Sequence, residues 1–297
     1  MTFYEIEFPL SGLDSDAVEE ALLAAGACSI TLVDRGDDPV LEPKPGEIRL
    51  WSDTLVRALF QDSGAGARSA IHSVERLSLS LGTHITETAR VRGVEERDWE
   101  RVWLADWKSM RFGRRLWVCP TAADAPDDPN AVVVRLDPGL AFGTGTHPTT
   151  ALCLQILESL PLSGRSVVDY GCGSGILGIA ALKMGAAHVV AVDLDPQALI
   201  ATRENAIRNG VSSAIVVEGV PVQLLPASCV VANILAGPLI ELAPTLTAAC
   251  AAGGDLLLSG LLKTQAYAVK AAYTSGFDMV QVVGRDDWCC IHARRAA

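Results

Sequence analysis

Apolar and polar positions keep one rhythm in the first ninety residues and another from about residue 126 onward. Phe3 to Phe8 alternates, the period of a half-buried strand. Asp14 to Ala25 repeats at helical spacing, with Ser11 or Asp14 as the N-cap and Gly26 as the stop. Ser29 to Asp34 reads as a second strand, Asp53 to Phe60 as a helix, and Ser73 to Leu81 as extended. This β-α-β order suits a small α+β sandwich of ferredoxin type. Nothing in it resembles a catalytic cluster, so its role is binding or purely structural.

From residue 126 strands and helices alternate. Strands are expected at Ser166–Tyr170, His188–Leu194, Ala214–Glu218, Cys229–Ile234 and Asp255–Ser259. Helices are expected at Ile176–Met184, Pro196–Asn209, Leu239–Cys250 and Thr264–Thr274. Phe277–Val283 and Trp288–His292 close the chain as a hairpin. Near-continuous Val/Ile/Leu strands between helices imply a parallel, doubly wound α/β sheet covered on both faces.

Between these regions lies a segment rich in tryptophan. Trp99, Trp103 and Trp107 recur every fourth residue, one stripe of a helix, with Trp117 and the bases Lys108, Arg111, Arg114 and Arg115 after them. A linker helix packed on one domain explains this better than a nucleic-acid surface, because the chain is acidic overall.

The 297 residues exceed what one hydrophobic core usually serves, so two domains are expected. The net charge is −11, but residues 1–90 carry −8 of it and residues 91–125 carry +1. The expected division is therefore 1–90, a 91–125 linker, and 126–297. Such acidity disfavours gripping nucleic acid through phosphates and favours a basic partner. The eight cysteines form no C-x-x-C pair and no zinc spacing, so no metal is expected. They read as small buried residues of a reducing compartment. There is no secretory signal pattern, and the longest uncharged run, Gly219 to Ile240, is broken by Pro221, Pro226 and Pro238. A cytoplasmic protein without a membrane span is the expectation.

The sharpest chemical signal is Val167-Val168-Asp169-Tyr170-Gly171-Cys172-Gly173-Ser174-Gly175-Ile176-Leu177-Gly178. A buried strand runs into a glycine turn that opens a helix, a setting for close backbone approach to a ligand. Asp193 ends the next strand about 20 residues on, where a carboxylate can accept both hydroxyls of a ribose. Gly173-x-Gly175-x-x-Gly178 satisfies the dinucleotide fingerprint, so an NAD-dependent oxidoreductase is one reading. Three features favour S-adenosyl-L-methionine instead. Asp169 gives the form D-x-G-C-G-S-G, a second glycine segment precedes it, and Asn233 ends a later strand. There the Asn233 carboxamide can meet a cofactor or a substrate amine, or simply cap the next helix. The earlier segment, Asp137 to Thr150, lacks the Gly-Lys-Ser/Thr of a phosphate loop. Its His147 is a general base by type, but a loop histidine before proline more often serves as a hydrogen-bonding loop residue.

The runs LDPGLAFGTGTHPTT, VVDYGCGSGILGIAALKMGA, VDLDPQA and VVANILAGPLIELAP resemble the PrmA family, methyltransferases of the eleventh large-subunit ribosomal protein. ERDWERVWLADWKSMRFGRRLWVCP resembles that family's linker. The likeness is strong over roughly 94–297 and loose before. It implies a class I (Rossmann-like) methyltransferase domain at 126–297 behind a small substrate-recognition domain at 1–90. The implied reaction adds methyl groups to lysine ε-amines and the N-terminal α-amine of a basic ribosomal protein; a monomer is expected. By motif match, the implied cofactor residues are Thr150, Gly171, Asp193 and Asn233, with Gly173 and Phe142 as weaker matches and Glu218 on the adenine side. Asn233 is also the implied catalytic residue, with Phe142 over the site. Residues 218–229 depart from the family: the stretch is shortened, and Ala227-Ser228-Cys229 replaces the usual acidic lead-in. Other substrates for the same chemistry, protein or small molecule, remain open.

Overall fold

The computed structural model describes residues 3–36, 50–61, 67–82, 85, 88–94, 108–137 and 145–296. The Trp99, Trp103 and Trp107 stripe and Phe142 lie outside the described residues. The chain divides into two compact units, Met1–Trp99 and Glu100–Ala297.

The first unit contains β1 (Phe3–Pro9), α1 (Ser15–Ala24), β2 (Ala27–Asp34), β3 (Thr54–Gln61), α2 (Ala67–Leu81) and β4 (Arg90–Val94). The strands lie in the order β2-β3-β1-β4, and each pair of neighbours is antiparallel. The alternation in β1 does what its period predicts: Tyr4, Ile6 and Phe8 enter the core. On the other face Glu5 and Glu7 pair with Arg92 and Arg57 at 2.7 and 2.8 Å. Asp14, not Ser11, caps α1 by accepting from Ala17 N at 2.9 Å.

Two expectations fail here, each for a physical reason. Asp53–Phe60, predicted as a helix, is the central strand β3. It is hydrogen-bonded on both edges and buries Leu55, Val56, Ala58 and Phe60, and that tertiary setting overrides the local pattern. Ser73–Leu81, predicted as extended, belongs to helix α2. Leu77, Leu79 and Leu81 mimic a strand's alternation, but Val74 and Leu77 are buried at i, i+3 spacing while Leu79 is 83% exposed.

The second unit begins with β5 (Met110–Phe112), β6 (Leu116–Cys119) and β7 (Val132–Arg135), a small sheet of its own. It was not expected: β5 and β6, of 3 and 4 residues, lie within the predicted linker and are too short to show a period. Next come α3 (Pro148–Ser159), β8 (Ser166–Tyr170), α4 (Ile176–Lys183), β9 (His188–Asp193), α5 (Pro196–Arg208) and β10 (Ile215–Gly219). The chain continues through β11 (Ala227–Asn233), α6 (Ala236–Glu241), α7 (Ala243–Ala249) and β12 (Cys250–Leu262). A short 3-10 turn, Lys263–Gln265, leads into α8 (Ala266–Tyr273), β13 (Phe277–Arg285) and β14 (Trp288–Arg295).

The seven strands lie in the order β10-β9-β8-β11-β12-β14-β13. The first five are parallel, and β14 is antiparallel to both of its neighbours. The chain moves outward from β8 to β10, then returns to lay β11 on the other side of β8. That reversal opens a crevice at the carboxyl ends of β8 and β11. Adjacent residues feed opposite faces: Val167, Val231 and Leu257 join one core cluster, Val168, Val230 and Leu256 the other. The single helix predicted over Leu239–Cys250 is two helices, because Pro244 cannot donate to the carbonyl of Ile240. At the amino-terminal side of β12, buried Asp255 meets Arg165 and His292 at 2.9 Å and Arg294 at 3.4 Å. Among the described residues, no helix is long and apolar enough to cross a membrane.

Candidate active site

The glycine turn follows β8 directly. Gly171, Gly173 and Gly175 have φ of +75°, +55° and +77°, a region that side chains disfavour. Space is short as well. A Cβ on Gly171 would lie 2.3 Å from Ile234 Cγ2, and one on Gly175 would lie 2.7 Å from Thr202 Cγ2. Gly178 needs its small size instead, because a Cβ there would meet Val189 Cγ1 at 2.9 Å. Helix α5 braces the turn from behind: Thr202 Oγ1 donates to Gly173 O at 3.0 Å, and Asn205 Nδ2 to Ser174 O at 2.8 Å. Thr202 and Asn205 carry no motif signal, and only the fold brings them here. Burial pushes the Cys172 thiol up to about 12, so it is an inert filler of the turn.

Asp169, the acid that introduces the turn, is fully buried. Its Oδ2 accepts from Gly178 N at 2.8 Å, while Oδ1 has no partner among the described residues. Burial drives its pKa up to about 7; the Gly178 bond pulls the other way, and the Asp193 charge adds to the rise.

Asp193 sits at the tip of β9. Its carboxylate accepts from Gly173 N at 2.9 Å and Asp195 N at 3.0 Å. A carboxylate offers about four lone-pair sites, so about two stay available to a pair of hydroxyls. Glu218 is exposed near the tip of β10, where the next residue, Gly219, pairs with Asp193.

Asn233 ends β11. Its Nδ2 donates to Thr150 Oγ1 at 3.2 Å, and its Oδ1 is buried without a partner among the described residues. Thr150 is itself buried in the first turn of α3. His147 caps that helix: its Nδ1 lies 2.7 Å from Thr149 Oγ1 and accepts from Thr149 N at 3.4 Å. Its ring meets the edge of Trp288, and burial lowers its pKa. These contacts make it a cap rather than a base. Thr150, Asn233, Gly171, Gly173 and Asp193 thus form one row of contacts along the crevice, running through Ile234. Among the described residues, no three His, Cys, Asp or Glu side chains converge to hold a metal.

Residues 2–296 match the family model described as ribosomal protein L11 methyltransferase (PrmA). Ribosomal protein L11 methyltransferases of Escherichia coli (strain SMS-3-5 / SECEC) and Escherichia fergusonii are each 48% identical over 298 residues, covering 99% of this chain and 100% of theirs. The crystal structure of a ribosomal protein L11 methylase from Lactobacillus delbrueckii subsp. bulgaricus is 32% identical. It superposes with a TM-score of 0.59 over 64% of this chain and 100% of that one. Matched along nearly its whole length, this chain belongs to the ribosomal protein L11 methyltransferase family and carries a class I methyltransferase fold.

Proposed function

We propose that the chain methylates ribosomal protein L11 on lysine ε-amines and on the N-terminal α-amine, with S-adenosyl-L-methionine as donor. The observation that carries this reading is the Asn233 Oδ1, a buried acceptor with no partner among the described residues, in one row with the glycine turn and Asp193. A buried unpaired acceptor costs about 1–3 kcal/mol, a cost that a ligand N–H removes. Gly171 and Gly173 would receive the donor's amino-acid portion, Asp193 its ribose, and Thr150 and Asn233 the region of the transferred methyl. Glu218 would flank the adenine, and Phe142 would cover the site. When bound, the donor supplies a methyl already activated on a sulfonium.

The chain's own task is then alignment and desolvation. Positioning an amine in line is worth several kcal/mol. The amine must also be neutral: a lysine with pKa about 10.4 costs about 4 kcal/mol to deprotonate near pH 7.4. A dry pocket lowers that cost by disfavouring the ammonium form. Asn233 Oδ1, with main-chain carbonyls beyond it, would accept from the amine that results. No protein base is required, and repeated methylation needs only proton loss to water between rounds.

The unit at 1–90 serves as the recognition domain in this reading. Its β2-β3-β1-β4 order suits the ferredoxin-like sandwich expected there, and its net charge of −8 suits a basic partner. Mass spectrometry of L11 after incubation with enzyme and donor tests the whole proposal. Increments of one CH2 each, mapped to lysines and the N-terminus, are expected. An unmodified L11 defeats the substrate assignment, and turnover of a nicotinamide cofactor would favour an oxidoreductase.

A further inference from the structure

Ile234, the residue after Asn233, is held between two glycines from different parts of the sheet. On one side a Cβ at Gly171 would lie 2.3 Å from its Cγ2, so its side chain rests on the glycine turn. On the other side lies Gly260, within β12, with φ of +86°. A Cβ there would lie 2.3, 2.7 and 2.9 Å from the O, C and N atoms of Ile234, so β12 presses its bare backbone onto that peptide. Ser259 continues the clamp: its carbonyl accepts from Ile234 N at 3.1 Å, and its fully buried Oγ shares its one hydrogen between Cys289 O at 3.1 Å and Thr149 O at 3.3 Å. The first turn of α3, which carries Thr150, is thereby tied to the same point.

We infer that Ile234 is a positioning residue for methyl transfer, which sets the separation between the glycine turn and the Asn233 carboxamide. It has no polar side-chain atom, so it has no chemical part in the reaction. Its packing joins the element proposed to hold the donor to the element proposed to receive the amine. Ser259-Gly260 backs it and lies outside every motif read from the sequence. The inference rests on the donor and acceptor assignment proposed above. In-line transfer is steep in distance, and a displacement of about 1 Å can cost up to about 100-fold in rate.

The test compares full-length Ile234→Val, Ile234→Ala, Ile234→Leu and Gly260→Ala. It reads kcat and KM with L11, and S-adenosylhomocysteine affinity by calorimetry. Ile234→Val should stay close to wild type. Ile234→Ala should lower kcat about 10- to 100-fold while S-adenosylhomocysteine affinity changes by less than about threefold. Gly260→Ala should show the same split, because it displaces the Ile234 peptide. If Ile234→Ala does not fold, Ile234→Leu, which keeps volume but moves the branch, is judged by the same split. Unchanged kcat in folded Ile234→Ala, Ile234→Leu and Gly260→Ala overturns the inference, as does a parallel fall of kcat and affinity, which would make Ile234 only a wall of the cofactor site. A wild-type chain that binds no S-adenosylhomocysteine defeats the donor assignment, and this inference falls with it.

Discussion

The Asp193 carboxylate accepts a hydrogen bond from the main-chain N–H of Gly173 at 2.9 Å. The tip of β9 is thereby fastened to the turn that follows β8, and the turn's shape is set before any ligand arrives. The same carboxylate holds Asp195 N at the start of α5, so one side chain organises three elements around the crevice.

Replacing Asp193 by alanine removes both this tether and the proposed ribose acceptor. S-adenosylhomocysteine should bind more than about tenfold more weakly, a loss above about 1.4 kcal/mol. Asp193→Asn should fall between, since one acceptor oxygen survives. Calorimetric titration reads both, and undiminished binding by the alanine variant would remove the ribose assignment.

Two glycines with nearly the same backbone separate conformation from crowding. Gly164 has φ of +73° with open space around its missing Cβ, while Gly175 has +77° and a clash with Thr202 at 2.7 Å. Gly164→Ala should cost only the left-handed penalty, about 1–2 kcal/mol. Gly175→Ala should cost clearly more, because Thr202 is fully buried and cannot withdraw. Chemical denaturation midpoints at constant m-value compare the two.

Asp169 makes stability depend on pH in an unusual direction. Its folded pKa of about 7 lies above the unfolded 3.8, so the folded state binds the extra proton between those values. Stability is therefore full below the unfolded pKa and declines as pH rises to about 7. Asp169→Asn keeps an acceptor for Gly178 N without the charge. It should stabilise the ligand-free protein at pH 8, by up to about 4 kcal/mol, and lose that advantage near pH 4. Denaturation at the two pH values checks it, and an equal effect at both would contradict the burial argument.

Asp255, within β12, acts in the opposite sense. Burial pushes its pKa up, but the His292 hydrogen bond and the Arg294 charge outweigh that and hold it below the ordinary carboxylate value. The stability it adds is present above that ordinary value and disappears as pH falls through the folded pKa. Asp255→Asn at neutral pH should destabilise by about 2 kcal/mol, less than for a fully buried pair because Arg294 is half exposed. Thermal melts should show this loss with S-adenosylhomocysteine affinity unchanged, since Asp255 pairs with Cys229, four positions before Asn233 at the tip of β11.

Much of the large unit was legible because its strands are buried on both faces and its helices carry their own punctuation. Pro196 and Asp195 start α5 where the pattern puts it, and Ser166–Tyr170 forms the predicted strand. The local pattern misleads where long-range pairing overrides it. Leu55 to Phe60 became a strand because β1 and β2 flank it, and Leu79 faces solvent because helix α2 turns it there. Of the implied site residues, Thr150, Gly171, Gly173, Asp193 and Asn233 lie in one row, while Phe142 falls outside the described residues.

By itself, the order of residues determined the glycine turn, the acid about 20 positions later and the asparagine that follows, because each is a local pairing of side-chain chemistry with strand or turn geometry. Only the tertiary structure decided which neighbours hold them. Thr202 behind Gly173, Ile234 between Gly171 and Gly260, and Ser259 beneath Thr149 are distant in the chain. Their roles arise from sub-3 Å approaches and hydrogen bonds between separate strands and helices, and such close approaches leave no periodic trace in the residues that make them.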